Sequence, residues 1–322
     1  MNEEQVLKRI ASGAGTGTLL GAGVHLGIGD DAALFKPRPG HQIILTCDWS
    51  LEGTHFLRDK HPADAIGWKS LARAVSDIAA MGGKPRCYLL SLALPSSHTG
   101  KWLTQFLGGL RRASRAFGCE IAGGDTTRRD TILINIAVIG EIAAGRALRR
   151  KGARPGDLIF VSGALGEADR GWEYLQSIRG RINARDPRLR KHLYPEPRLA
   201  LGEWLARNRL ASSMMDVSDG LSVDLPRLCA ASAAGARIEV SRLPMVRDVE
   251  KERATRLALH GGDDYELLFT VAPRRARHIP GKFRGLQLTQ IGKIVQERKI
   301  EVCAGNGSSY RLKPGGWDPF RG

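Results

Sequence analysis

Between Pro62 and Met81 the apolar positions Trp68, Leu71, Ala72, Val75, Ile78 and Ala79 recur at helical spacing, and Gly82-Gly83 marks the stop. Asp77 falls off that stripe in the last turn, where the helix dipole disfavours an anion unless a cation is near. Upstream, Val6 to Ile10 continue a short helix, and a glycine-rich loop leads to Gly29-Asp30-Asp31. The apolar, partly β-branched run Ile43-Ile44-Leu45-Thr46-Cys47 predicts a strand ending at Asp48, which puts that carboxylate where ligand sites favour it, at a strand's carboxyl end. Arg86 to Leu94 reads as a strand, Lys101 to Phe117 as a helix stopped by Gly118, and Glu120-Ile121-Ala122 as a short strand running into Gly123-Gly124-Asp125. Thr131 to Ile139 alternates with both faces largely apolar, as a central strand does.

The segment Arg146 to Gly156 is basic and irregular, so the first domain is expected to span 1–145 and the second 146–322. The second opens with a strand at Asp157 to Val161, a glycine turn and a helix. An Arg- and Pro-rich connection over 179–197 follows, then helices at about 197–209 and 221–234. Strands are expected near 213–217, 237–241 and 265–271. In the last of these Tyr265, Leu267, Phe269 and Val271 alternate with Glu266, Leu268 and Thr270. The fold class is α/β (α+β): two tandem mixed domains, the carboxyl-terminal sheet layered with helices.

Five stretches then set aspartates beside glycines or at the ends of apolar runs: Gly29-Asp30-Asp31, Thr46-Cys47-Asp48, Gly123-Gly124-Asp125-Thr126-Thr127, Asp216-Val217-Ser218-Asp219-Gly220, and Gly262-Asp263-Asp264-Tyr265-Glu266. A single Gly-Asp pair is ordinarily a turn. Five supply what a hard cation and phosphate groups require: oxygen ligands, and backbone N–H exposed where no side chain blocks approach.

The 322 residues carry 49 Lys and Arg against 33 Asp and Glu, a net charge of +16. The basic residues are dispersed, as at Arg111-Arg112 and Arg149-Arg150-Lys151, without aromatic interleaving, so no specific nucleic-acid partner is expected. The five cysteines include no Cys-x-x-Cys, which points to a reducing, cytoplasmic setting without structural zinc. The uncharged run over 10–29 holds seven glycines between Gly13 and Gly29, too little apolar bulk to span a membrane, and reads as a flexible loop.

Phosphate chemistry here has none of its commoner signatures. Gly67-Trp68-Lys69-Ser70 lacks the adjacent Gly-Lys of a P-loop and lies inside a helix; the protein-kinase set, His-Glu-x-x-His and Gly-x-Ser-x-Gly are absent. A site rich in aspartate and poor in lysine has to manage phosphate charge through several divalent ions, for which Mg2+ fits best.

Six motifs in series resemble the thiamine-monophosphate kinase family, in the superfamily of aminoimidazole ribonucleotide synthetase: Gly27-Ile28-Gly29-Asp30-Asp31-Ala32-Ala33, Leu51-Glu52-Gly53-Thr54-His55-Phe56, Ser76-Asp77-Ile78-Ala79-Ala80-Met81-Gly82, Gly123-Gly124-Asp125-Thr126-Thr127, Asp216-Val217-Ser218-Asp219-Gly220-Leu221 and Gly262-Asp263-Asp264-Tyr265-Glu266-Leu267. The resemblance covers nearly the whole chain. It implies transfer of the ATP γ-phosphoryl group to thiamine monophosphate, in a homodimer whose amino-terminal halves join strands, with nucleotide between that surface and the carboxyl-terminal domain. It further implies Mg2+ at Asp31, Thr46, Cys47, Asp48, Asp77, Asp125, Asp216 and Asp219; ATP at Gly124, Asp125, Arg150 and Ser218; and the thiamine substrate at His55, Asp263 and Trp317. Two positions depart from the pattern: Cys47 stands in place of a threonine, and a thiol is a poor partner for so hard an ion, while Asp263 replaces a glutamate and leaves Asp264 to keep the local charge. Another ATP-dependent synthetase of the superfamily, or a nucleotide-binding homologue without turnover, are the alternatives.

Overall fold

The computed structural model describes residues 3–14, 23–28, 32–180, 182–305 and 307–320. The Gly29-Asp30-Asp31 motif, with the cation ligand expected at Asp31, and most of the glycine-rich loop lie outside the described residues. Two compact units emerge: residues 1–78, 83–145 and 178–184 form one, and 79–82, 146–177 and 185–322 the other.

The first unit contains α1 (Glu3–Ala14), β1 (Val24–Leu26), β2 (Leu34–Phe35), β3 (His41–Leu51), α2 (Ala63–Ala80), β4 (Lys84–Leu94), α3 (Lys101–Phe117), β5 (Glu120–Arg128) and β6 (Leu133–Ala143). Its four-stranded sheet has the order β3-β6-β4-β5, antiparallel except for the β4–β5 pair. β6 is internal, as its two apolar faces predict. One face packs on α2 and α3: Tyr88 Oη lies 3.1 Å from Ser114 Oγ of α3, and a Cβ on Gly140 of β6 would lie 2.9 Å from the Ile78 side chain of α2. The two helices cross backbone to backbone, since a Cβ on Gly109 would fall 1.8 Å from the Asp64 carbonyl oxygen. α3 ends as expected, with Gly118 left-handed at φ 63°.

Among the described residues the opposite face is only partly covered, by β1 and β2, whose Val24 and Phe35 pack with Cys87, Ala122 and Ile139. Elsewhere it is apolar and open: Leu45 is 74% exposed and Trp49 52%, with Ile43 and Leu89 exposed as well.

Two sequence expectations are corrected here. β3 runs on to Leu51, so Asp48 lies within the strand rather than at its end. β5 likewise continues through Gly123-Gly124-Asp125 to Arg128. In both cases polar residues look like a strand's end in sequence, but the partner strands supply the hydrogen-bond ladder past them.

The second unit contains β7 (Leu158–Ser162), α4 (Glu167–Ser177), α5 (Arg190–Leu193), α6 (Leu199–Arg207), β8 (Ala211–Val217), α7 (Leu221–Ala231), β9 (Gly235–Glu239), α8 (Lys251–His260), β10 (Glu266–Val271), α9 (Pro273–Ala276), β11 (Lys282–Phe283), β12 (Leu286–Val295), β13 (Ile300–Cys303) and β14 (Ser309–Arg311). Its sheet runs β14-β13-β9-β12-β7-β10-β8, with β11 beside β12. Every residue of β10 is buried, as befits a strand between β7 and β8 that is covered on both faces. Leu221, Leu225 and Leu228 of α7 and Ala258 and Leu259 of α8 close a core over Ile159, Val161, Met215, Val217 and Leu268. The pattern leaves α8 unassigned because its first half, Lys251-Glu252-Arg253, is charged; Glu250 caps it by accepting the Glu252 and Arg253 N–H groups. No described helix is long and apolar enough to cross a membrane.

Candidate active site

In the first unit, strand alternation sorts the expected ligands. Thr46 and Asp48 lie in the rows of Val138 and Ile136, on the face that α2 and α3 cover, and Thr46 Oγ1 donates a short hydrogen bond to Asp77 Oδ2 of α2. Thr46, Asp48 and Asp77 are therefore brought together. Cys47, one residue along, is exposed on the other face, so its thiol points away from them and only its backbone remains on their side of the question. Asp125 is also separated. It pairs in register with Ser91, in the row of Asn135 and Trp49, whereas Asp48 shares the row of Ile136, Leu90 and Gly124. β3 and β5 are the two edges of the sheet, and three strand spacings put them about 14 Å apart.

Gly124 is locked into β5 by necessity. At φ 154° its Cα faces the Leu90 carbonyl so closely that a Cβ would lie 1.9 Å from that oxygen. His55 sits in the turn after β3, where its Nδ1 accepts the Leu51 N–H at 3.1 Å, leaving the ring proton on Nε2. Glu52 of the same motif is a brace: its Oε2 accepts the Ile132 N–H at 2.8 Å, and its Oε1 lies 3.2 Å from Arg58 Nε.

In the second unit, three separate segments meet at the turn after β8. The Ser218 carbonyl accepts the Asp263 N–H at 2.8 Å, the Asp219 carbonyl accepts the Trp317 N–H at 2.9 Å, and the Val217 carbonyl accepts the Tyr265 N–H at 2.9 Å. Glycines permit this closeness: a Cβ on Gly316 would fall 2.0 Å from the Asp219 carbonyl oxygen. Ser218, Asp219, Asp263 and Trp317 are thus gathered within a few residues of the buried Asp216. Asp263 is left-handed at φ 66°, and Tyr265 Oη donates to its Oδ1 at 2.6 Å. Arg150 is set apart. Its neighbour Arg149 accepts the Met214 N–H at 2.9 Å and its own carbonyl accepts Ser232 Oγ at 3.0 Å. Four residues of β8, about 13 Å, separate that point from Ser218.

Sequence reasoning overlooked the residues that hold this turn. Asp224, in the first turn of α7, is fully buried and accepts the N–H groups of Ser218 and Asp219 at 3.1 and 3.0 Å. Burial and the nearby Asp219 charge push its carboxyl up to about 6, against the pull of those two N–H bonds and of Arg227. Its place four residues after Gly220, reaching back over the helix start, was the available signal.

Asp264 corrects an expectation. Rather than keeping the local charge beside Asp263 it is buried, accepting the N–H groups of Gly166 and Ala168 at 2.5 and 3.0 Å at the start of α4. Burial pushes it up to about 8 in spite of those bonds. Glu266 is buried as well, bound by Arg198, by Lys191 at 3.2 Å and by Ser162 Oγ at 2.6 Å. Burial alone would raise its carboxyl, but Arg198, Lys191 and Ser162 together outweigh that and hold it below its usual value.

The donors at Thr46, Asp48, Asp77, Asp216 and Asp219 are all oxygen, which suits Mg2+. Among the described residues no three His, Cys, Asp or Glu side chains cluster tightly enough to hold a metal alone.

Residues 29–142 match the AIR synthase related protein N-terminal domain, and 154–304 the AIR synthase related protein C-terminal domain. Thiamine-monophosphate kinase of Escherichia coli strain K12 is 38% identical over 305 residues, covering 92% of each chain. This chain belongs to the thiamine-monophosphate kinase family. A crystal structure of the Stenotrophomonas maltophilia K279a member is 35% identical, covers 94% of this chain and 96% of its own, and superposes with a TM-score of 0.81. Another family structure, AaThiL complexed with AMPPCP and TMP, is 32% identical over 91% of this chain and 92% of its own, with a TM-score of 0.76.

Proposed function

We propose that the chain transfers the γ-phosphoryl group of ATP to the phosphate of thiamine monophosphate, releasing ADP and thiamine diphosphate in thiamine diphosphate biosynthesis. The observation that carries this reading is the relative solved with AMPPCP and TMP, 32% identical across 91% of this chain.

The acceptor determines what the residues have to do. A phosphate monoester has a second pKa of about 6 and is mostly a dianion at pH 7, so its oxygen can attack without giving a proton to the protein. No aspartate is assigned the role of general base. Positioning carries the burden instead. Gly124, Asp125, Arg150 and Ser218 hold the nucleotide. His55, through the Nε2 proton that its Nδ1 bond fixes, joins Asp263 and Trp317 in holding the thiamine substrate. Asp31, Thr46, Cys47 through its backbone carbonyl, Asp48, Asp77, Asp125, Asp216 and Asp219 are the residues that would hold Mg2+. Bound there, the ions would supply positive charge that screens the repulsion between two polyanions. The five cysteines, all unpaired, suit a cytoplasmic protein.

The test is incubation with ATP, magnesium and thiamine monophosphate, followed by phosphorus resonances. New diphosphate signals are expected. ATP hydrolysis without them would favour another synthetase of the superfamily, and no change would favour a nucleotide-binding homologue without turnover.

A second copy of the chain is the proposed cover for the open face of the first unit's sheet. Leu45 and Trp49 are large, apolar and exposed there, and β3 and β5 both present edges. A Leu45→Glu variant is expected to run as a monomer by light scattering at concentrations where the parent is a dimer. A variant that stays dimeric would rule this face out.

A further inference from the structure

The turn that carries Ser218 and Asp219 is held by a pair of side chains behind it, and one atom of that pair is shared. Arg227 Nη1 lies 3.0 Å from Asp224 Oδ1 and also donates a short bond to Asp219 Oδ2. The two carboxylates differ in their surroundings. Asp224 is wholly buried, with its other oxygen fixed by the N–H groups of Ser218 and Asp219, whereas Asp219 and Arg227 are 23% and 42% open to solvent. The contact on Asp224 is therefore a fixed anchor and the contact on Asp219 a movable one.

We propose that Arg227 is a positioning residue: it serves as the counter-ion of Asp219 until a divalent cation arrives, and then withdraws onto Asp224. This rests on the reading of Asp219 as a cation ligand given above. A guanidinium and a divalent ion compete for the same carboxylate oxygen, and they repel each other at that distance. Exchange is easy only if the displaced guanidinium already has somewhere to go. The bond to Asp224 exists beforehand, so withdrawal breaks one contact and leaves no charge unpaired. Until then Arg227 keeps Asp219 extended and prevents two neighbouring carboxylates from facing each other unscreened.

The arrangement predicts opposite effects from its two halves. Arg227→Met removes the competitor and should tighten cation binding. Asp224→Asn keeps an oxygen for the two N–H groups but removes the resting place, so Arg227 stays on Asp219 and binding should weaken. A merely structural role would weaken binding in both. Mn2+ titration of the full chain, with a non-hydrolysable ATP analogue present and free Mn2+ read by electron paramagnetic resonance, follows the site that Asp219→Asn abolishes. Arg227→Met is expected to bind about two- to fivefold more tightly there, and Asp224→Asn more weakly by a similar factor. Any other pattern of the two shifts overturns the exchange while leaving Asp219 a ligand. Unchanged Mn2+ binding in Asp219→Asn overturns the ligand reading and the exchange with it. Arg227 is exposed enough that its variant tests the idea even if Asp224→Asn fails to fold.

Discussion

Asp77→Asn is expected to lower kcat/KM by about 10²- to 10³-fold at fixed magnesium, with part of the loss recovered as magnesium is raised. Asp77 lies in the last turn of α2, at the negative end of the helix dipole, where a carboxylate is unwelcome without a cation. Thr46 Oγ1 donates to it from β3, and Asp48 lies on the same face of the sheet. Asparagine has nearly the same shape and can still accept the Thr46 hydroxyl, so the fold should persist while the charge is lost. Because the acceptor phosphate needs no base, both limbs of the pH–rate profile should remain. Single-turnover rates measured across magnesium concentration and pH make the check. Unchanged metal dependence together with a missing limb would assign Asp77 to proton transfer instead.

Arg198→Met should be among the most destabilising single changes, at about 3–5 kcal/mol, because it leaves a buried carboxylate without its main partner. Glu266 is fully buried, Arg198 is its strongest contact, and Lys191 would remain at 3.2 Å. The effect should depend on pH with a definite sign. In the parent protein Glu266 is held below its usual range, so its contribution is present above about 4.5 and is lost as pH falls through the lower folded value. In the variant, burial is no longer outweighed and the folded-state value rises. The penalty is then full at neutral pH and is relieved as the carboxyl takes up a proton. The gap in Tm between parent and variant should be widest near pH 8 and narrow toward pH 5. A gap that stays constant over that range would mean Arg198 acts through packing alone. Adding Glu266→Gln to Arg198→Met should recover much of the loss.

Helical periodicity over Trp68 to Ala79 and over Lys101 to Phe117 placed α2 and α3 to within two residues, because each buries one broad apolar stripe. The central position of β6 was legible for the same reason. What single-strand patterns could not convey is pairing. Asp48 and Gly124 look like strand ends, yet their strands continue because β6 and β4 ladder with them. Pairing also decides which aspartates can meet, and it sets Asp125 on the opposite edge from Asp48. Among the candidate site residues, those at the turn after β8 stand out in the Asp-x-Ser-Asp-Gly motif. Trp317, His55 and Arg150 came only with the family resemblance. Asp224, Asp264 and Glu266 were hidden for a physical reason: they are carboxylates used inside, on N–H groups and arginine, where composition leads one to expect solvent.

The left-handed backbone at Asp263 bears on why aspartate stands where the family resemblance leads one to expect glutamate. Aspartate tolerates that conformation better than longer side chains do, since its short carboxyl can bond locally, and here it takes the Tyr265 hydroxyl. An extra methylene here would lengthen the side chain at the cost of local comfort in the main chain. The short carboxylate gives rigidity where a longer one would give span.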